Sequence, residues 1–249
     1  MTHSIPQKTA AYLVVGLAAL LGLGSQLLFA VFLYAGSLDL LGPRLEGAGT
    51  LAWDALLCLA FFLQHSGMTR RSFRRRLARV VPPHYHGVAY TIASGIVLLA
   101  LLLLWQRAPR EVLILHGPVR WAVRAAFFAF IAGIVWSSRS LGSFDTFGFR
   151  PVLYRLRGKT LPAPRLIVRG SYRWVRHPIY LFSILMIWST PDLTADRLLF
   201  NTLWTAWILV GALLEERDLT AELGEAYRKY QREVPMLVPL RVYSTGRRR

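Results

Sequence analysis

Cysteine is almost absent from this sequence: Cys58 is the only one in 249 residues. A disulfide within the chain is therefore excluded. With no Cys–His spacing of the kind zinc or iron–sulfur sites need, no metal site is expected. Cys58 sits among Leu and Ala and reads as a small buried apolar residue. Acid is scarce as well, with 13 Asp and Glu against 30 Lys and Arg and a formal charge of +17. The common catalytic signatures are missing. There is no G-x-S-x-G elbow, no H-E-x-x-H pair, no Walker loop and no G-x-G-x-x-G, so a Rossmann-type nucleotide site is not supported.

What is present is apolar sequence in long uncharged runs. Such runs cover 10–34, 50–63 (broken by Asp54), 88–105, 127–136, 179–188 and 198–214. Several approach the ~20 residues that cross a bilayer as a helix. An all-α, polytopic membrane protein with about six transmembrane helices is expected, because only helices satisfy their own backbone in lipid. The first run is longer than the apolar region of a signal peptide and no cleavage pattern follows it, so it reads as a retained helix.

In a soluble chain a charge of +17 would suggest nucleic acid. Here the arginines lie in loops, in "TRRSFRRRLAR" (69–79), across 150–176 and after 214, while 35–49 and 106–119 are sparse. The positive-inside rule puts the rich loops in the cytoplasm, with both termini cytoplasmic and the body in the inner membrane. The arginines then serve topology and contact with anionic lipid, and no nucleic-acid partner is expected.

The chain divides by polarity. Residues 1–141 are membrane helix with short connections. Residues 142–249 hold a long polar segment (142–178), an apolar hairpin closed by "STPDLTAD" and an amphipathic tail. The fifth run, from Pro178 to "STPD", rises only ~21 Å at 1.5 Å per residue, short of a ~30 Å hydrocarbon core. Leu219, Leu223, Tyr227, Tyr230 and Val234 recur at three or four residues. The last helix is therefore expected to continue past the membrane as one amphipathic segment.

Six of the thirteen acids fall between 215 and 233. Glu215 and Glu216 sit where the sixth run ends, either solvated in weak surface pairs or paired and used at the membrane boundary. His65, in "LQHSGM", reads as a helix-end cap or a functional ring. Asp145, in "SFDTFG", reads as a turn or N-cap residue or as a substrate contact. Asp54 within a span is unusual, although Trp53 beside it suggests an interface.

Five motifs then occur in order: "RHPIY" (176–180), the short hairpin, "LEERDL" (214–219), "LGEAYRKY" (223–230) and "VPMLVP" (234–239). This resembles the catalytic half of the integral-membrane methyltransferases that include isoprenylcysteine carboxyl and phospholipid methyltransferases. "QHSGM" (64–68), "SFDTFGFR" (143–150) and "STPDLT" (189–194) extend the resemblance towards the bacterial methanethiol S-methyltransferases. The resemblance implies S-adenosylmethionine held without a Rossmann domain, with cofactor-binding roles at Gly170, Tyr172, Arg176, His177, Tyr180, Glu215, Glu216, Tyr227 and Tyr230.

It further implies a small thiol or other apolar acceptor, methanethiol giving dimethyl sulfide. Carboxyl or amine methylation of a lipid-like substrate is the alternative, followed by a non-enzymatic protein of the same fold or a reductase. Glu216, Arg232 and His65 are the candidate catalytic groups, Asp145 and Phe182 the candidate substrate contacts. Two positions depart from the family pattern. Phe182 stands where glycine is usual, which suits a small acceptor. Arg232 lies one residue before the usual basic position, which Glu233 fills.

Overall fold

In this computed structural model the described residues are 5–142, 145–162 and 165–239, so Ser143 and Phe144 of the 143–150 motif lie outside them. The order is α1 (Ile5–Ala35), α2 (Ala48–Thr69), α3 (Arg71–Leu77), α4 (His86–Leu104), β1 (Glu111–Ile114), α5 (Gly117–Ser140), α6 (Phe149–Leu156), α7 (Pro178–Trp188), β2 (Asp192–Thr194), α8 (Ala195–Leu223) and α9 (Glu225–Glu233). Single 3-10 turns stand at Pro83–Tyr85 and Gly170–Arg173.

Five helices among the described residues are long and apolar enough to cross a bilayer: α1, α2, the segment Pro83–Leu104 containing α4, α5 and α8. The protein is thus an all-α polytopic membrane protein, and the expected runs each became a helix. The sixth crossing is the exception. α7 has 11 residues, a rise of about 16 Å, so it cannot span hydrocarbon alone.

The chain folds as two compact units, each built from separate stretches. The first holds residues 1–120, 145–163 and 190–204. In it α1 packs along α4, where Gly95 meets the Leu21 backbone, and Val152 of α6 is buried with Ala11, Ala18 and Val88. Its aromatic core sets Phe32, Trp105 and Phe200 edge to face, with Trp204 stacked on Phe29 and Phe61.

Acids in this core secure backbone. Asp54 Oδ1 accepts from Gln106 N (3.0 Å), and Asp196 accepts from Trp105 Nε1 (3.2 Å) and Ala108 N (3.3 Å). Both serve the chain just after α4, where buried N–H groups beyond the helix need partners outside it. Trp53 Nε1 donates to the Leu104 carbonyl (3.0 Å) at the same place. "DLT" of the expected hairpin turn pairs as β2 with β1, antiparallel, Glu111 opposite Thr194. Arg120 holds Asp192 through two hydrogen bonds of 2.5 and 2.6 Å.

The second unit holds residues 121–144, 164–189 and 205–249. Here the expected single tail helix is corrected. α8 stops at Leu223 because Gly224 takes φ +58°, a left-handed value that glycine adopts without strain. The chain turns back, and Tyr227, Tyr230 and Val234 of the returning segment pack on Leu166, Leu219 and Leu223. The apolar spacing was real, but it serves two helices folded on each other.

Gly87, in the first turn of α4, faces Gly148 so closely that an added Cβ would lie 2.7 Å from the Gly148 Cα. Alanine is the better helix former by about 1 kcal/mol, yet here the backbone has no room to give. Gly87→Ala is expected to destabilise by about 1–3 kcal/mol, whereas Gly16→Ala, which meets nothing within 4 Å, gains from helix propensity. Unfolding of the detergent-solubilised variants, followed by intrinsic fluorescence, checks the opposite signs.

Candidate active site

Within the second unit lies a cavity of about 270 Å3. Its wall takes Leu141 from the end of α5; Arg165, Leu166 and Ile167 from the following segment; Tyr172, Arg176 and His177 from the approach to α7; Ile179 and Tyr180 from α7. Glu215, Leu219 and Leu223 of α8 and Tyr227 and Tyr230 of α9 complete it.

The approach to α7 is placed by backbone. At Gly170 φ is +57°, and any Cβ would strike the Ser140 side chain at 2.2 Å, so only glycine fits. Arg169 Nε donates to the Ser140 carbonyl and clamps the segment to the end of α5. Arg176 N and His177 N then donate to the Pro235 (2.9 Å) and Met236 (3.1 Å) carbonyls. This explains "VPMLVP": it is the strap on which "RH" is laid. Pro178 follows at the first helical position, where its missing N–H costs nothing.

The two glutamates do different things. Glu216 is buried and is not part of the cavity wall. Its Oε1 accepts from Arg176 Nε (2.9 Å), His177 Nε2 (2.7 Å) and Tyr227 Oη (2.7 Å). Its Oε2 accepts from Arg176 Nη2 (2.8 Å) and Gln231 Nε2 (2.6 Å). A carboxylate offers about four lone-pair sites, so Glu216 is saturated. It has no capacity left to take a substrate proton, contrary to the catalytic role it was a candidate for.

Glu215, one residue earlier and so turned ~100° about the helix, lines the cavity with its side chain 44% exposed. Tyr180 Oη donates to its Oε2 (2.6 Å), and His177 Nδ1 lies 3.8 Å from the same oxygen. The His177 and Tyr180 rings are parallel, 3° apart in plane with centroids 5.4 Å apart.

Arg176 is nearly spent as well. Besides Glu216 it donates through Nη1 to the carbonyls of Gln231 (3.1 Å) and Val234, the orphan acceptors at the end of α9. Of its five N–H groups one at Nη2 is uncommitted to these partners. Tyr230 Oη donates to the Tyr172 carbonyl (2.6 Å). Burial raises the phenol pKa of Tyr172, Tyr227 and Tyr230, that of Tyr230 to about 12.

Tyr172, Arg176, His177, Tyr180, Glu215, Tyr227 and Tyr230 of the sequence-derived set thus share one wall. Gly170 shapes the turn beneath them. Other candidates are elsewhere. Arg232 is exposed and pairs with Glu225 (2.7 Å), off the cavity wall. The Phe182 ring lies over Gly133 of α5, where an added Cβ would sit 2.7 Å from it.

His65 and Asp145 belong to the first unit. His65 Nε2 shares a hydrogen bond with Tyr90 Oη (2.5 Å). Asp145 accepts from the backbone N–H of Phe149 (3.1 Å) and Arg150 (2.7 Å); it meets the first N–H groups of α6 from the preceding turn, the N-cap position itself being Gly148. The sequence reading missed Leu141, Arg165, Leu166, Ile167 and Ile179. The signals they carried were weak: an apolar triplet between two arginines in "RLIVRG", and the place of Ile179 inside "RHPIY".

Two outcomes are expected from this geometry. Glu216→Gln strands the Arg176 charge in a buried place and costs about 3–5 kcal/mol, while Glu215→Gln, at a half-exposed carboxylate, costs under about 1 kcal/mol. Denaturant unfolding of both variants tests the contrast. Tyr230, neutral when folded, titrates from about 12 against an ordinary 10.0. The folded state therefore holds its proton longer, and stability present below pH 10 declines as pH rises from 10 towards 12. Tyr230→Phe removes that share of the decline, measurable by unfolding across the pH range.

The chain is 39% identical over 207 residues to the methanethiol S-methyltransferase of Pseudomonas sp. (strain GM41(2012)), covering 83% of this chain and 80% of that protein. It is 38% identical over 187 residues to the methanethiol S-methyltransferase of Mycobacterium tuberculosis, covering 75% and 77%. With Nurim of Rattus norvegicus it shares 29% identity over 203 residues, 73% of this chain and 72% of that one. No family model and no solved structure matches it. Identity of this level over most of both chains means that the chain belongs to the methanethiol S-methyltransferase family.

Proposed function

We propose that this protein is a membrane methyltransferase that moves a methyl group from S-adenosylmethionine to methanethiol, giving dimethyl sulfide, in the cavity of the second unit. The observation that carries the reading is the cavity wall itself: a half-exposed carboxylate, two guanidinium groups and four tyrosines, in a chain related over most of its length to enzymes named for this reaction. The donor set suits the cofactor. Glu215 accepts from its ammonium or ribose, and Arg165 with the uncommitted Arg176 N–H answers its carboxylate. Tyrosine faces and the Leu166, Leu219 and Leu223 side chains take the adenine, and an aromatic face favours a sulfonium by about 0.5–2 kcal/mol. When bound, the cofactor supplies an activated methyl group to an attacking sulfur.

The protein's share is alignment and exclusion of water. Glu216 fixes Arg176, His177, Tyr227 and Gln231, so the wall is rigid before any ligand arrives. The relatives' names support a small thiol over a lipid-like substrate; Phe182 packs over Gly133, off the cavity wall. All but Leu141 of the cavity lining falls after residue 141, which supports reading the methyltransferase core within 142–249. The Arg-rich stretches 69–79 and 150–176 support an inner-membrane location with cytoplasmic termini, where they meet anionic lipid.

Purified protein with both substrates is expected to form dimethyl sulfide, detected by gas chromatography. Calorimetric titration of S-adenosylmethionine is expected to show affinity roughly tenfold to a hundredfold weaker in Glu215→Gln, the equivalent of one charge-assisted hydrogen bond. Methyl transfer to a prenylcysteine analogue but not to methanethiol would replace the acceptor assignment.

A further inference from the structure

A thiol attacks as thiolate, so a methanethiol methyltransferase needs somewhere for the proton to go. Glu216 is saturated and Arg232 is on the surface. We infer that His177, through Nδ1, is the group that takes the thiol proton, held for that task by Glu216. The inference rests on the proposed reaction and names the base within its site.

Glu216, bound through both oxygens by Arg176, is an acceptor-only carboxylate. The nitrogen facing it, Nε2 at 2.7 Å, must therefore carry the ring proton, which leaves the lone pair on Nδ1. Glu216 is outside the cavity wall and Glu215 is part of it. The ring thus turns its committed nitrogen away and its basic nitrogen towards the cavity, 3.8 Å from Glu215 Oε2. Glu215 Oε2 is occupied by the Tyr180 hydroxyl.

In the step the S–H bond breaks, its electron pair stays on sulfur, and the proton forms an N–H bond at Nδ1. The imidazolium then lies between two carboxylates, Glu216 at Nε2 and Glu215 near Nδ1, which stabilise its charge. Once the products have left, half-exposed Glu215 offers the route by which the proton reaches water. A carboxylate that fixes a histidine tautomer so that the opposite nitrogen acts as base is a general catalytic arrangement. Here its parts come from α8 and the start of α7.

His177→Gln is the discriminating variant, because a glutamine amide can still donate to Glu216 while offering no base. The charged and titratable groups facing the ring are Arg176, Tyr180, Glu215, Glu216 and Tyr227. Tyr180→Phe and Glu215→Gln profiles therefore serve as controls. Calorimetry is expected to give S-adenosylmethionine affinity in His177→Gln within about threefold of wild type. Turnover at pH 7 is expected to fall ~100-fold or more, the usual share of a general base. That deficit should shrink about tenfold per pH unit as rising pH supplies thiolate directly. Nitrogen-15 spectra of the histidine-labelled, ligand-free protein are expected to show His177 protonated at Nε2 with a free lone pair at Nδ1.

Unchanged turnover, or a loss that pH does not rescue, overturns the assignment, as does a proton on Nδ1 in the spectra. Wild type that binds no S-adenosylmethionine and forms no dimethyl sulfide sinks the methyltransferase reading instead. The histidine spectra then still decide the tautomer on which this inference stands.

Discussion

One buried carboxylate organises the unit that holds the cavity. Glu216 receives five hydrogen bonds from four side chains that the sequence scatters between 176 and 231. Through Arg176 it reaches the last carbonyls of α9, and through His177 it sets the entrance of α7. A pair of charges withdrawn from water recovers its solvation cost only when every remaining donor and acceptor is met, and here nearly all are. The arrangement costs stability if any one partner is lost, but it leaves a single geometry for the cavity wall.

That geometry separates two adjacent residues of like chemistry. A step of ~100° along α8 puts Glu216 inside the packing and Glu215 on the cavity. One carboxylate holds the packing together and the other faces the cavity. The same economy shows in α7, which is too short to cross a membrane alone. Its first turn carries His177, Ile179 and Tyr180 to the cavity, and Phe182 one turn on closes over Gly133. The "VPMLVP" strap reaches the site at the two residues just before α7, where Arg176 N and His177 N have no helical partner.

Much of this was legible in the sequence. Uncharged runs found every long helix, because a bilayer accepts little else. "RHPIY" and "EERDL" pointed to residues that line the cavity or pair beside it, because charges crowded at helix ends must be paired or used. What stayed hidden has physical reasons. The recurrence of Leu219, Leu223, Tyr227 and Tyr230 fits one helix or two folded together, and only the backbone angle at Gly224 decides. The β1–β2 pairing joins residues some eighty positions apart through three residues of strand, too short to leave a period. The unequal fates of Glu215 and Glu216 depend on helix rotation against neighbours, which the letters "EE" do not contain. Arg232 looked catalytic by its place in a motif, yet α9 turns it outward to Glu225.

The central claim is that the tyrosine-walled cavity of the second unit is where the methyl donor binds. Ultraviolet cross-linking of labelled S-adenosylmethionine to the purified protein, with the modified peptides sequenced by mass spectrometry, tests it most directly. Label concentrated on peptides carrying Tyr172, Tyr227 or Tyr230, and competed away by unlabelled S-adenosylhomocysteine, is the predicted result. Competed label falling instead on residues of the first unit, such as Tyr34 or Tyr90, would contradict it.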